Sequence, residues 1–189
     1  MSRVLITGAN RGLGLEFVRQ YAADGWDVIA TSRNREKSVE LQQLERKNKV
    51  SLKVLDVTSG NSVEALAHAL SGQAIDLLVL NSAIYTRNGN KIGDIDFEGW
   101  REAIETNLLG VVRVAQALLE NVAASKRKQI AAISTGLGSL QGLKSTIGFG
   151  AAYQYRTSKT ALNMAMSVLA HELEPRGISV VIWADRTQP

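Results

Sequence analysis

The chain has 189 residues with no Cys, two Pro and sixteen Gly, and a formal net charge of +4. That length accommodates one domain, residues 1–189, with a sizeable core, and the ordinary apolar fraction argues against disorder. The absence of Cys excludes a disulfide scaffold and thiolate chemistry at Cys. The basic residues are spread along the chain. Their densest group, Lys126-Arg127-Lys128, reads as a solvated turn, and no aromatic-basic interleaving points to nucleic acid. No charged segment with a long apolar region precedes Val4-Leu5-Ile6, and no stretch approaches the about eighteen apolar residues of a membrane span. A soluble cytoplasmic protein without a metal site is the expectation.

Taken in chain order, Val4–Thr7 reads as a strand and Leu13–Ala23 as a helix with Leu13, Phe17, Val18 and Tyr21 inward. Trp26–Thr31 is a second strand, Glu36–Arg46 a helix, Val50–Leu55 a third strand and Ser62–Leu70 a helix. Ile75–Leu80 is a nearly all-apolar fourth strand. A loop over Tyr85–Gly93 leads to a long helix over Phe97–Val122, with Trp100, Ile104, Leu108, Val111 and Ala115 at helical spacing. Gln129–Ser134 is the fifth strand, Thr135–Gly150 a Gly/Ser-rich stretch, Tyr153–Leu173 a long helix and Ile178–Trp183 the sixth strand. Short strands alternating with helices predict an α/β, three-layer Rossmann-type fold with a doubly wound parallel sheet.

The first strand-to-helix turn is Thr7-Gly8-Ala9-Asn10-Arg11-Gly12-Leu13-Gly14. Glycines in that place permit a tight turn and a close approach of the helix N-terminus to a pyrophosphate. Gly8, Asn10, Arg11, Gly12, Leu13 and Gly14 are therefore candidate cofactor contacts. The second strand ends at Thr31-Ser32-Arg33, where NAD-binding folds usually carry an acidic residue for the ribose hydroxyls. Arg33, with Arg11, favours a 2′-phosphate and hence NADP(H). Asp56 ends the third strand and either accepts from an adenine amino group or caps the next helix, where Thr58 and Ser59 are also available.

Tyr155 and Lys159 are four residues apart near the start of a helix, so both fall on one face. A nearby cation favours phenolate, and such a Tyr serves as acid or base at a carbonyl oxygen during hydride transfer. Ser134 and Thr135 close the fifth strand, where a hydroxyl would meet the substrate carbonyl. Tyr153 is a rival phenol without a basic residue four positions on. Asn107 is either a packed, hydrogen-bonded amide or a group that holds a water beside Lys159.

From residue 4 to about residue 182 the chain closely resembles the short-chain dehydrogenase/reductase family. The glycine loop matches TGxxxGxG, Asp56 the adenine-binding Asp, Asn107 the catalytic Asn and Tyr155-Arg156-Thr157-Ser158-Lys159 the YxxxK centre. Ile133–Leu140 and Tyr155–Asn163 are similar to the small NADPH-dependent carbonyl reductases related to sniffer and C-factor. The resemblance implies Tyr155 as acid/base, Lys159 on the nicotinamide ribose, Asn107 in a water relay, and Val57, Asn81, Ser82 and Ala83 along the cofactor. It also implies a dimer or tetramer. The function it implies is carbonyl reduction with NADPH; the alternative is an NADP(H)-binding regulatory or sensor protein with little turnover.

Three departures stand out. The catalytic Ser position, three residues before Gly138, is Thr135, with Ser134 as its neighbour. The NNAG after the fourth strand reads Leu80-Asn81-Ser82-Ala83. Family members follow the sixth strand with a Pro-Gly loop, a helical lid and a seventh strand, whereas here Ala184-Asp185-Arg186-Thr187-Gln188-Pro189 follows. The expected fold therefore lacks the usual seventh strand and substrate lid.

Overall fold

All six apolar runs become strands of one parallel sheet. They are β1 (Arg3–Ile6), β2 (Asp27–Ser32), β3 (Val50–Val54), β4 (Leu77–Leu80), β5 (Gln129–Thr135) and β6 (Ser179–Asp185), in the order β3-β2-β1-β4-β5-β6. The computed structural model describes residues 1–47, 49–85, 90–147 and 150–185. Parts of the two expected loops, 86–89 and 148–149, and residues 186–189 of the expected tail lie outside the described residues.

Alternation of side chains across the sheet builds a core on each face. Val4 and Ile6 of β1, Leu77 and Val79 of β4 and Ala131 of β5 point to one face. There they meet Leu15 and Val18 of α1 (Gly12–Ala23) and Leu41 of α2 (Val39–Lys47). Leu5, Leu78, Leu80, Ile130 and Ala132 point to the other face. Their partners are Val63 and Leu66 of α3 (Gly60–Ala69), Val111 and Val114 of α5 (Gly110–Ala117), and Leu162 and Met166 of α8 (Tyr153–Leu173). These are the three expected layers. The strand order reverses at β1: the chain runs outward through β2 and β3, then crosses back to β4. The crevice at the carboxyl ends of β1 and β4 is where such sheets bind ligands.

Several local expectations are corrected. Leu13 is 50% exposed, and Leu15 and Val18 are the buried positions of α1. The long fourth helix is not continuous. It comprises α4 (Phe97–Ile104), a π turn (Glu105–Leu109), α5, and α6 (Leu119–Ala123). In the π turn the Gly110 N–H reaches back five residues to the Glu105 carbonyl. The helix after β2 starts at Val39 rather than Glu36, because Ser32, Asn34 and Ser38 hydrogen-bond into a turn first. The Gly/Ser-rich stretch contains a 3-10 turn (Gly136–Gly138) and a short helix, α7 (Leu143–Thr146). The loop after β4 contains a small antiparallel ribbon, Asn90–Lys91 with Asp94–Ile95. Within the basic triplet, the Arg127 guanidinium stacks 4.8 Å from the centroid of Trp26.

Leu78 is fully buried between β1, β4 and the α5–α8 layer. Leu78→Ala is expected to cost about 2–5 kcal/mol of unfolding free energy, whereas truncation at a surface position such as Leu13 stays within about 0.5 kcal/mol. Urea denaturation of both variants checks the contrast.

Candidate active site

The switch point brings the loops after β1 and β4 side by side, and Thr7 joins them. Its hydroxyl oxygen accepts from the Asn81 and Ser82 backbone N–H groups at 2.9 and 3.0 Å. The Asn81 carboxamide donates in return to the Thr7 and Gly8 carbonyls at 3.0 and 3.1 Å. The close approach explains two of the glycines. Gly8 has φ +63°, and a Cβ there would stand 2.9 Å from Ser82 Oγ; a Cβ at Gly14 would stand 2.5 Å from Asn81 Nδ2. The departure from NNAG is absorbed locally. Leu80 joins the core, Asn81 keeps the clamp, and Ala83 has an ordinary negative φ.

A cavity of about 750 Å³ opens in front of this clamp. Gly8, Asn10, Arg11, Gly12, Leu13 and Gly14 line it at the N-terminus of α1, whose first turn carries no acidic side chain. Unused helix N–H groups and the positive end of the helix dipole suit a pyrophosphate. Asn81, Ser82 and Ala83 line it from β4, and Asp56 and Val57 from β3. Asp56 Oδ1 accepts from the Thr58 N–H at 3.0 Å and the Thr58 hydroxyl at 2.7 Å. The cap of α3 is Ser59, so Asp56 shapes the turn and stays on the cavity wall.

Arg11 and Arg33 both line this cavity, as expected, and Lys37 joins them. None of the three forms an ion pair among the described residues. The turn carrying Arg33 and Lys37 is held by the Ser38-to-Ser32 hydroxyl bond at 2.8 Å and by Asn34 Oδ1, which accepts from the Lys37 N–H at 3.0 Å. The sequence reading missed Lys37, although its place four residues after Arg33 was a usable signal. It also missed Thr7, whose role depends on a contact 74 residues away.

The reaction-centre candidates are not walls of this cavity; Asn107 connects them to it. Asn107 is fully buried in the π turn. Its Oδ1 accepts from the Ile84 N–H at 2.8 Å, and its Nδ2 donates to the Ile84 carbonyl and to Ser158 Oγ, both at 3.0 Å. Ile84 is a cavity residue, and Ser158 immediately precedes Lys159. The carboxamide thus braces the cofactor loop against α8.

Lys159 is almost fully buried, and its Nζ donates to the Ile133 carbonyl at 2.8 Å while standing 5.9 Å from the Tyr155 ring centroid. Tyr155 meets Tyr85 edge-on at 5.0 Å, whereas Tyr153 turns toward Trp100. Ser134 and Thr135 are both buried but differ in use. The Ser134 hydroxyl donates to Asn163 Oδ1 at 2.6 Å, while Thr135 Oγ1 only accepts, from the Leu137 N–H at 3.3 Å. The Thr135 O–H remains available to donate.

Burial pushes the Tyr155 phenol above its ordinary 10.0, and Tyr85 adds to the rise. Burial brings the Lys159 ammonium down to about 8. A phenol lowered by its lysine was expected. Here burial of the phenol itself sets the direction, upward.

An open parallel sheet with a glycine loop at its switch point, and a Tyr–Lys pair beside it, defines a doubly wound α/β protein with a cradle for an anionic ligand. The family model "short chain dehydrogenase" matches residues 2–184, and the chain belongs to that family. The oxidoreductase YusZ of Bacillus subtilis is 36% identical over 183 residues, which cover 94% of this chain and 62% of that protein. The crystal structure of NADPH-bound carbonyl reductase from chicken fatty liver superposes with a TM-score of 0.88 at 32% identity, covering 96% of this chain and 78% of that one. The RhlG/NADP active-site complex of Pseudomonas aeruginosa gives 0.85 at 26%, covering 100% and 73%. No helix among the described residues is long and apolar enough to cross a membrane.

The Lys159 shift has a stability consequence. A lysine with a lowered folded-state pKa binds fewer protons folded than unfolded, so stability rises with pH between the two values. Wild type is expected to gain stability relative to Lys159→Met as pH rises from about 8 to 10.5. Urea midpoints across that range read the difference, and parallel pH profiles would show that Lys159 titrates as an exposed lysine.

Proposed function

We propose that this protein is an NADP(H)-dependent oxidoreductase that reduces an aldehyde or ketone to an alcohol. The carrying observation is the half-buried Tyr155 beside the buried Lys159, coupled through Asn107 to a cavity bearing Arg11, Arg33 and Lys37. The cavity fits the cofactor: the glycine cradle would hold the pyrophosphate, and Arg11, Arg33 and Lys37 would supply the charge for a 2′-phosphate. The relatives crystallised with NADPH and NADP support the same choice.

When bound, the dinucleotide supplies the hydride that adds to the carbonyl carbon. The chain supplies the rest. Tyr155, a phenol that is protonated at neutral pH and that burial pushes further up, gives its proton to the carbonyl oxygen. The Lys159 ammonium stabilises the phenolate left behind and binds the nicotinamide ribose. The Thr135 hydroxyl donates to the carbonyl oxygen; Ser134 is held by Asn163 and supports the strand end. Asn107 keeps Ile84 and α8 in register, and a proton drawn from solvent would restore Tyr155.

In this reading residues 1–189 form one dinucleotide-binding domain of a cytoplasmic protein that works as a dimer or tetramer. Exposed Phe97 and Leu109 near α4 and α5, with Met164 and Val168 on α8, support association through those helices.

Tyr155→Phe is expected to lower carbonyl-dependent NADPH oxidation by about a hundred- to ten-thousand-fold while leaving NADPH affinity unchanged. Equal rates for both proteins over an aldehyde and ketone panel would sink the reductase reading. Tight NADPH binding without wild-type turnover would favour the sensor. For the cofactor, Arg33→Ala is expected to weaken NADPH binding by roughly tenfold and NADH binding far less, because only NADPH carries the 2′-phosphate. Fluorescence titration of both cofactors measures this, and equal losses would refute the assignment.

A further inference from the structure

Helix α8 carries a second stripe beside the Tyr155–Lys159 pair: Arg156, Thr160 and Asn163, at i, i+4 and i+7. All three side chains grip the turn that leaves β5. Arg156 Nη1 donates to the Leu137 carbonyl at 3.4 Å, and the Thr160 hydroxyl is shared between the Gly138 carbonyl at 3.0 Å and the Arg156 carbonyl at 2.9 Å. Asn163 Nδ2 also donates to the Gly138 carbonyl, at 3.3 Å.

Arg156 reaches further than its neighbours. Its Nη1 donates to Thr146 Oγ1 at 2.9 Å and its Nη2 to the Thr146 carbonyl at 2.6 Å. Nε and Nη2 donate to the Gly150 carbonyl at 3.2 and 3.1 Å. The Thr146 hydroxyl passes the connection to the Gly142 carbonyl at 2.9 Å. One planar guanidinium therefore binds the beginning of the β5–α8 connection at Leu137, its helix α7 at Thr146, and its end at Gly150.

The residue is 7% exposed, and every one of these acceptors is neutral. Burying a cation without a carboxylate is costly, and a simple turn needs no such group. What the guanidinium supplies is a rigid fork that reaches several acceptors at once. The backbone beside it is also forced: Ala152, two residues after Gly150, has φ +41° and ψ +49°, and its carbonyl accepts from the Arg156 N–H at 2.9 Å. A non-glycine residue in that region persists only where its surroundings hold it.

We propose that Arg156 is a positioning residue that fixes Leu137, Thr146 and Gly150 against α8 and so holds the strand end carrying Thr135 in place beside the helix that carries Tyr155. This rests on the reductase reading of the same site. Arg156 touches no reacting atom. It acts through the segment rooted at Thr135, and displacements of about 1 Å at such a site lower rates by up to about a hundredfold.

The test compares Arg156→Lys and Arg156→Ala with wild type in three measurements on the full chain: amide exchange, NADPH affinity and carbonyl-reduction kinetics. In both variants exchange over residues 136–147 is expected to quicken by roughly tenfold or more, while β1 and β4 stay protected. NADPH affinity, which reports an intact glycine loop, should stay within about twofold of wild type as kcat falls by roughly tenfold or more, the drop a displaced hydroxyl predicts. Free guanidinium, but not ammonium, should restore part of the kcat of Arg156→Ala. Unchanged exchange in that segment overturns the proposal, as does quickened exchange with kcat and KM both unaltered. Wild type that turns over no carbonyl defeats the reductase reading instead, and the exchange result then decides by itself whether Arg156 holds the segment.

Discussion

The Thr7–Asn81 clamp is the contact on which the site depends. Four hydrogen bonds tie the carboxyl ends of β1 and β4 together, two accepted by the Thr7 hydroxyl and two donated by the Asn81 carboxamide. They hold the glycine loop close enough to the β4 loop that Gly8 and Gly14 admit no larger side chain. They also start a polar path across the molecule. From Asn81 and Ser82 the chain runs to Ile84, whose backbone is held by Asn107, and Asn107 in turn donates to Ser158 beside Lys159. The cofactor cradle and the Tyr–Lys pair are thereby parts of one hydrogen-bonded frame. Rigid support of this kind is what a reaction needs when two bound molecules must meet at a fixed distance.

Helix α8 serves that frame with two adjacent stripes. Tyr155 and Lys159 occupy one; Arg156, Thr160 and Asn163 occupy the next and seize the end of β5. A single helix thus carries the Tyr–Lys pair and also grips the turn that follows Thr135. The Ser134 hydroxyl is spent on Asn163, whereas the neighbouring Thr135 hydroxyl only accepts.

Charge is divided between the two ends of the site. At the adenosine end Arg11, Arg33 and Lys37 meet an open cavity without acidic partners among the described residues, so they are ready for an anion. At the reaction end one cation, Lys159, is buried deeply enough to lose much of its preference for the proton. Burial acts on the neighbouring phenol in the opposite direction, pushing it above its ordinary value.

Periodicity and punctuation in the chain determined the six strands, their parallel arrangement and the glycine loop, because each depends on residues close together in sequence. The motif spacing likewise placed Asp56, Arg33 and the Asn81–Ala83 segment on one cavity, and Tyr155 with Lys159 on one helix face. Only the tertiary structure decided the rest. The π turn around Asn107 and the inward choice of Leu15 over Leu13 follow from packing against distant strands. The different hydrogen bonding of Ser134 and Thr135 depends on Asn163, which lies 29 residues from Ser134 along the chain. The direction of the Tyr155 shift needed the burial around it, which no local pattern encodes. Arg156 occupies an unspecified position of the YxxxK pattern, and only the fold brings Leu137, Thr146 and Gly150 around it.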